Sequence, residues 1–196
     1  MSENSASAEG ARGTGMERFL FGALIALVAL APLPLASNRP LPAAVLSLAA
    51  GLLLALWAAA LLTGRARLAF SPRKIVWPLT LFGAVALWIF VQVMPLPGPW
   101  GDPVWREAAA ALGEPLSASI SVNPQATLSG LMRLLAYGAI FWLTLQLARD
   151  PERARTAMTA AALIGAAYAL YGIAVYAAGN GWVSIYRNWA FLEALT

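Results

Sequence analysis

The sequence predicts an all-α integral membrane protein: five transmembrane helices, with a short outer-surface helix between the third and fourth. Two observations carry this. Five apolar stretches cover residues 19–36, 41–63, 75–94, 128–148 and 156–178, which are 18, 23, 20, 21 and 23 residues long. A hydrocarbon core of about 30 Å takes about 20 apolar residues in a helix. Only a helix satisfies its own backbone polar groups over that distance without water. The second observation is composition. The chain is 60% hydrophobic and 11% charged, whereas soluble domains carry about 25% charged residues.

Residues 1–15 are small and polar and are expected to form a disordered tail. Residues 16–196 then make a single membrane domain, and Met16 competes with Met1 as the start of the chain. The first stretch begins at Arg18-Phe19 and ends among Pro32 and Pro34, whose missing backbone donors bend or stop a helix. It lacks the small-x-small pattern of a signal-peptidase site before Ser37, so it is expected to stay on the chain. The second stretch, rich in Leu and Ala, ends at Thr63-Gly64, where glycine suits a C-cap. Ser71-Pro72 reads as an N-cap and first helical residue for the third helix, with Trp77 and Trp88 near the two interfaces.

Between the third and fourth stretches lies the longest loop, residues 95–123. Asp102-Pro103 opens a helix over residues 103–112 and Gly113 closes it. That helix is too short to span, and Trp100 and Trp105 suit the headgroup region, so it is expected to lie along the outer surface. Residues 117–122 alternate and predict an extended segment. Asn123-Pro124 caps the fourth helix, and Pro151 opens the fifth. Gly165 and Gly172 in the fifth lie seven apart, near Tyr168 and Tyr176, a spacing that lets helices pack closely.

The basic residues set an orientation. Nine lie at the N-terminus and in the loops after the second and fourth helices; four, Arg39, Arg106, Arg133 and Arg187, lie on the other side. The positive-inside rule places the N-terminus in the cytoplasm and the C-terminus outside. The net charge of +4 is accounted for by this placement, and no nucleic-acid partner is expected.

Candidate chemistry is sparse. The absence of histidine and cysteine removes the commonest general base, thiolate chemistry and the commonest metal ligands. No phosphate-cradling glycine loop or metal-ligand spacing is present, so no cofactor or metal is expected. No carboxylate falls inside an apolar stretch, and residues 150–153 read as a solvated turn. Arg133 stands out, about 13 Å along the fourth helix from Pro124 by the standard rise. A charge at that depth costs a few kcal/mol and turns towards protein or water. It either snorkels to the outer headgroups or holds an anion such as a lipid phosphate. Arg39 and Arg187 are the further candidates for that lipid-phosphate site. Gln92, near the outer end of the third helix, suits either a bond across helices or the interface.

Three stretches taken in order resemble the bacterial O-antigen ligase and polymerase family. They are Pro32-Leu33-Pro34-Leu35 with Ser37-Asn38-Arg39-Pro40; residues 88–97 (WIFVQVMPLP) followed by Trp100 and Trp105; and residues 119–153. The resemblance implies an inner-membrane glycosyltransferase acting at the periplasmic face on undecaprenyl-diphosphate-linked glycan. It further implies that this chain corresponds to the N-terminal membrane portion, because the family's largest periplasmic loop lies beyond the matched region. Leu41 departs from the pattern, in which an aromatic commonly follows the Asn-Arg-Pro turn. The expected partners are membrane lipid, the lipid-linked glycan and other membrane protein subunits. With five helices, no histidine and no buried carboxylate, the chain is expected to be inactive alone. The alternative is a non-catalytic membrane subunit packed against a larger complex. A transporter lacks support, since no inverted repeat or broken helix pair is visible.

Overall fold

The computed structural model describes residues 2–32, 40–96, 100–177, 182–183 and 186–187, with side chains described between residues 15 and 177. Among these residues six α-helices follow in order: α1 (Ser2–Leu30), α2 (Pro40–Leu62), α3 (Val76–Val93), α4 (Pro103–Leu112), α5 (Pro124–Leu147) and α6 (Pro151–Ala177). A two-residue antiparallel pair, β1 (Trp182–Val183) and β2 (Tyr186–Arg187), comes after α6.

Among the described residues, four helical segments are long and apolar enough to cross a membrane: Pro40–Leu62, Pro72–Val93, Pro124–Leu147 and Pro151–Ala177. They match the second to fifth apolar stretches to within a few residues. The first stretch differs. Its residues 33–36 lie outside the described residues, and what remains of it in α1, from Phe19 to Leu30, is about 18 Å of helix at the standard rise. That is well short of a hydrocarbon core. The backbone of α1 is helical from Ser2, where the sequence suggested a disordered tail. Extending an existing helix costs little per residue once its nucleus has formed.

The ends of the helices follow local chemistry. Gly64, at φ 70°, terminates α2, and the chain turns back so that Arg65 and Ala66 donate to the Ala60 carbonyl. The left-handed backbone there favours glycine, which has no Cβ to clash. Ser71 accepts from the amide of Arg73 at 3.4 Å and opens a short 3₁₀ turn, Pro72–Ile75, that leads into α3. Asp102 caps α4 through the Val104 amide at 2.9 Å, and Gly113 ends it at φ 72°. Asn123 caps α5 through the Ala126 amide at 3.0 Å. Each of these caps is legible in the sequence.

The chain forms two compact units. The first comprises residues 1–70 and 138–196, the second Ser71–Tyr137, so that α5 contributes its first part to the second unit and its later part to the first. In the first unit, Leu20 and Leu24 of α1 pack with Leu53, Trp57 and Ala60 of α2 and with Leu143 and Leu147 of α5. Trp57 and Trp142 meet edge to face, with ring centroids 6.1 Å apart at 82°. Such contacts hold helices together in lipid, where burial of apolar area supplies little of the drive and close packing supplies most. Tyr168 of α6 donates its hydroxyl to the Ala29 carbonyl of α1 at 2.6 Å. Gly165 and Gly172 make no close approach: a Cβ at either would meet nothing within 4 Å. The packing role suggested by their spacing is therefore not used among the described residues.

In the second unit, the segment before α4 pairs with the segment before α5. Leu96 donates to Ala118, Asp102 to Ser119, and Ser121 to Gln92, each at 2.9 Å through the backbone. Residues 118–121 are thus held along the end of α3 and the approach to α4, in keeping with the extended segment the alternation suggests. Gln92 takes part through its carbonyl oxygen. Trp105 of α4 donates its indole N–H to the Ser121 carbonyl at 3.1 Å. Gly101 permits this approach, since a Cβ there would overlap that of Ala118.

Candidate functional site

The polar chemistry of the first unit gathers at one end. Glu17, one turn before Leu20, is only 6% exposed. Its Oε1 accepts from the Arg67 amide at 3.2 Å. Its Oε2 accepts from Arg149 Nη2 at 3.1 Å and lies 3.6 Å from Arg153 Nη1. Arg153 in turn pairs through Nε with Asp150 at 3.4 Å, and Asp150 Oδ1 caps α6 by accepting from the Arg153 amide at 2.8 Å. The middle of α1, the loop after α2, the end of α5 and the start of α6 therefore meet at a single carboxylate.

Beside this node sits Gln146, 2% exposed. Its Oε1 accepts from the amides of Ala69 and Phe70 at 2.9 and 3.1 Å, and its Nε2 donates to the Phe70 carbonyl at 2.8 Å. One amide side chain thereby stands in for a strand partner to an irregular segment. An irregular backbone near a membrane needs such a partner, because each unsatisfied group there costs several kcal/mol. In the second unit the buried polar residue is Ser119, whose hydroxyl donates to the Ser121 carbonyl at 2.7 Å. Ser121 Oγ in turn pairs with Thr127 Oγ1 at 2.8 Å.

Two sequence expectations change here. Glu17 is a buried carboxylate, although it precedes the first apolar stretch and no carboxylate was expected to be buried. The turn at residues 150–153 is more than solvated surface, since the Arg153 side chain is 80% buried against Glu17 and Asp150. Gln146 also went unread, although its position in Leu143-Thr144-Leu145-Gln146-Leu147 marks it: an amide in an apolar run needs partners.

The three arginines singled out as lipid-phosphate candidates fare differently. Arg133 lies on α5 in the second unit, partly buried, with its Nε enclosed. Arg39 lies outside the described residues, and Arg187 falls in β2, where only the backbone is described. The expected convergence of Arg39 with Arg133 therefore falls outside the described residues.

A cleft of about 720 Å³ opens next to the Glu17 node, between the first turns of the apolar part of α1 and of α6. Arg18, Phe21 and Gly22 line one side, and residues 150–153 with Thr156 line the other. No group of three or more potential metal ligands occurs among the described residues.

No protein-family model, curated protein or solved structure matches this chain.

What the arrangement does chemically is hold itself together. Glu17, Gln146 and Ser119 all have hydrogen bonds within the chain. None of the three stands against a second group in the manner of a nucleophile and its base.

Proposed function

We propose that this chain is a multi-pass membrane scaffold, the N-terminal membrane portion of an enzyme resembling O-antigen ligases and polymerases, and non-catalytic by itself. The observation that carries the scaffold reading is that Glu17, Gln146 and Ser119 spend their polar groups on ion pairs and on the chain's own backbone. The ordered series of motifs supports kinship with enzymes of undecaprenyl-diphosphate-linked glycan. In this reading Arg133, partly enclosed on α5, contributes a bidentate donor to the lipid diphosphate. The count of basic residues along the sequence assigns Arg39, Arg187 and the loop carrying Trp100 and Trp105 to the outer side of the membrane as well. The first apolar stretch, residues 19–36, counts in this reading as a fifth span by its length in the sequence.

The basic end of the first unit supports an orientation. Arg67, Arg149 and Arg153 gather around Glu17 at one end of their helices, the end that a bacterial inner membrane keeps in the cytoplasm. The alternative is a non-catalytic subunit of a larger complex. It is favoured by α3 and α6, neither of which has a fully buried residue.

The test uses the purified chain in nanodiscs, supplied with undecaprenyl-diphosphate-linked glycan and an acceptor. Binding without transfer is the expected result, lost in Arg133→Gln and not rescued by Arg133→Lys, because lysine lacks the forked donor geometry. Transfer by the chain alone would refute the scaffold reading. Equal binding by wild type and Arg133→Gln would remove Arg133 from the site, and no binding by wild type would leave the subunit alternative. Cysteines at Ser7 and Ser117, probed with an impermeant maleimide on spheroplasts, check the orientation: Ser117→Cys reacts and Ser7→Cys does not.

A further inference from the structure

We propose that the cleft between α1 and α6 seats the headgroup of a zwitterionic phospholipid, with Arg18 on its phosphate and Glu152 on its ammonium. The charges in the cleft divide into two sets. Arg153 and Asp150 are engaged with each other and with Glu17. Arg18 and Glu152 are exposed, line the same cleft, and make no ion pair among the described residues, with each other or with anything else. A cation and an anion held on opposite walls without closing on one another match a phosphate ester that carries its own amine. A phosphate alone would leave Glu152 facing like charge, and a bare amine would leave Arg18 unanswered.

The depth of the cleft points to a lipid. α1 and α6 run side by side in the same direction, tied at one end by Glu17 to Arg153 and further along by Ala29 to Tyr168. Arg18 stands immediately before the apolar run that opens at Phe19, and Glu152 lies one turn before the apolar run of α6. Both charges thus sit just ahead of an apolar run, the place where a membrane helix meets the headgroups. Below them Phe21 offers an apolar wall, and at Gly22 a Cβ would meet nothing within 4 Å, so room remains for the start of an acyl chain. The guanidinium fork suits phosphate oxygens, and the carboxylate of Glu152 is the group that separates a zwitterionic headgroup from an anionic one.

The experiment is native mass spectrometry of the full chain in detergent, titrated separately with phosphatidylethanolamine, phosphatidylglycerol and water-soluble phosphoethanolamine. The expected result is a first phosphatidylethanolamine adduct that forms more tightly than the phosphatidylglycerol adduct. Glu152→Gln should abolish that preference by weakening phosphatidylethanolamine about 3- to 5-fold, the size expected for one exposed ion pair, without weakening phosphatidylglycerol. Arg18→Gln should weaken both lipids, and Arg65→Gln, at an exposed arginine outside the cleft, should weaken neither. Near-ultraviolet circular dichroism from the Trp57–Trp142 pair confirms that each variant is folded. Equal affinity of wild type for the two lipids, or an intact preference in Glu152→Gln, would overturn the proposal. Binding of phosphoethanolamine as tight as that of the lipid would replace the phospholipid with a soluble ligand.

Discussion

Replacing Glu17 with alanine removes the one acceptor shared by four segments of the first unit. The Arg67 amide loses its 3.2 Å partner, and Arg149 and Arg153 lose a carboxylate at 3.1 and 3.6 Å. An orphaned amide costs about 1 kcal/mol or more. The pair with Arg149 is worth less than about 1 kcal/mol, because that side chain is 35% exposed and regains water when freed. Arg153 is 20% exposed and keeps Asp150, which limits its loss. Together these predict destabilisation of about 2–3 kcal/mol for Glu17→Ala. Glu17→Gln retains an acceptor for the Arg67 amide and should lose about half as much. The assay is reversible unfolding of the detergent-solubilised chain by sodium dodecyl sulfate, followed by near-ultraviolet circular dichroism. A double-mutant cycle should show stronger coupling of Glu17 to Arg149, which donates a hydrogen bond to it, than to Arg153, which has Asp150 as well. A loss below about 0.5 kcal/mol for Glu17→Ala, the range of ordinary surface changes, would show that the node does not hold the unit together.

Two further outcomes follow from the same geometry. Gln146→Leu leaves the amides of Ala69 and Phe70 and the Phe70 carbonyl without their partner, which should cost about 2–4 kcal/mol; hydrogen exchange at those two amides should accelerate at least about tenfold, and unchanged exchange would refute the bracing role. Gly101→Ala brings a methyl group onto the Ala118 side chain and should cost about 1–3 kcal/mol. It should show as faster exchange at Leu96, Asp102 and Ser121, whereas Gly83→Ala in α3, with nothing within 4 Å, should be neutral or stabilising.

The sequence by itself determined the class of this protein and most of its helix ends. Spanning is a one-dimensional property: a run of apolar residues either is or is not long enough, and the backbone leaves the helix as its only form. Caps are equally local. Asp102, Asn123 and Ser71 each accept from an amide two or three residues on, and Gly64 and Gly113 take the left-handed backbone their positions need. Helix α4 could therefore be read to its last residue. Only the tertiary structure decided where the buried polar groups go. Glu17 meets Arg67 across 50 positions and Arg149 across 132, while Gln146 reaches Phe70 across 76. No periodicity or spacing encodes those distances. Read along the chain, Glu17 is one more charge before an apolar run, and Arg149 and Arg153 are two more positive-inside residues. They become a buried node only when the middle of α1 meets the loop after α2, the end of α5 and the start of α6, because a carboxylate removed from water must find donors wherever the packing brings them.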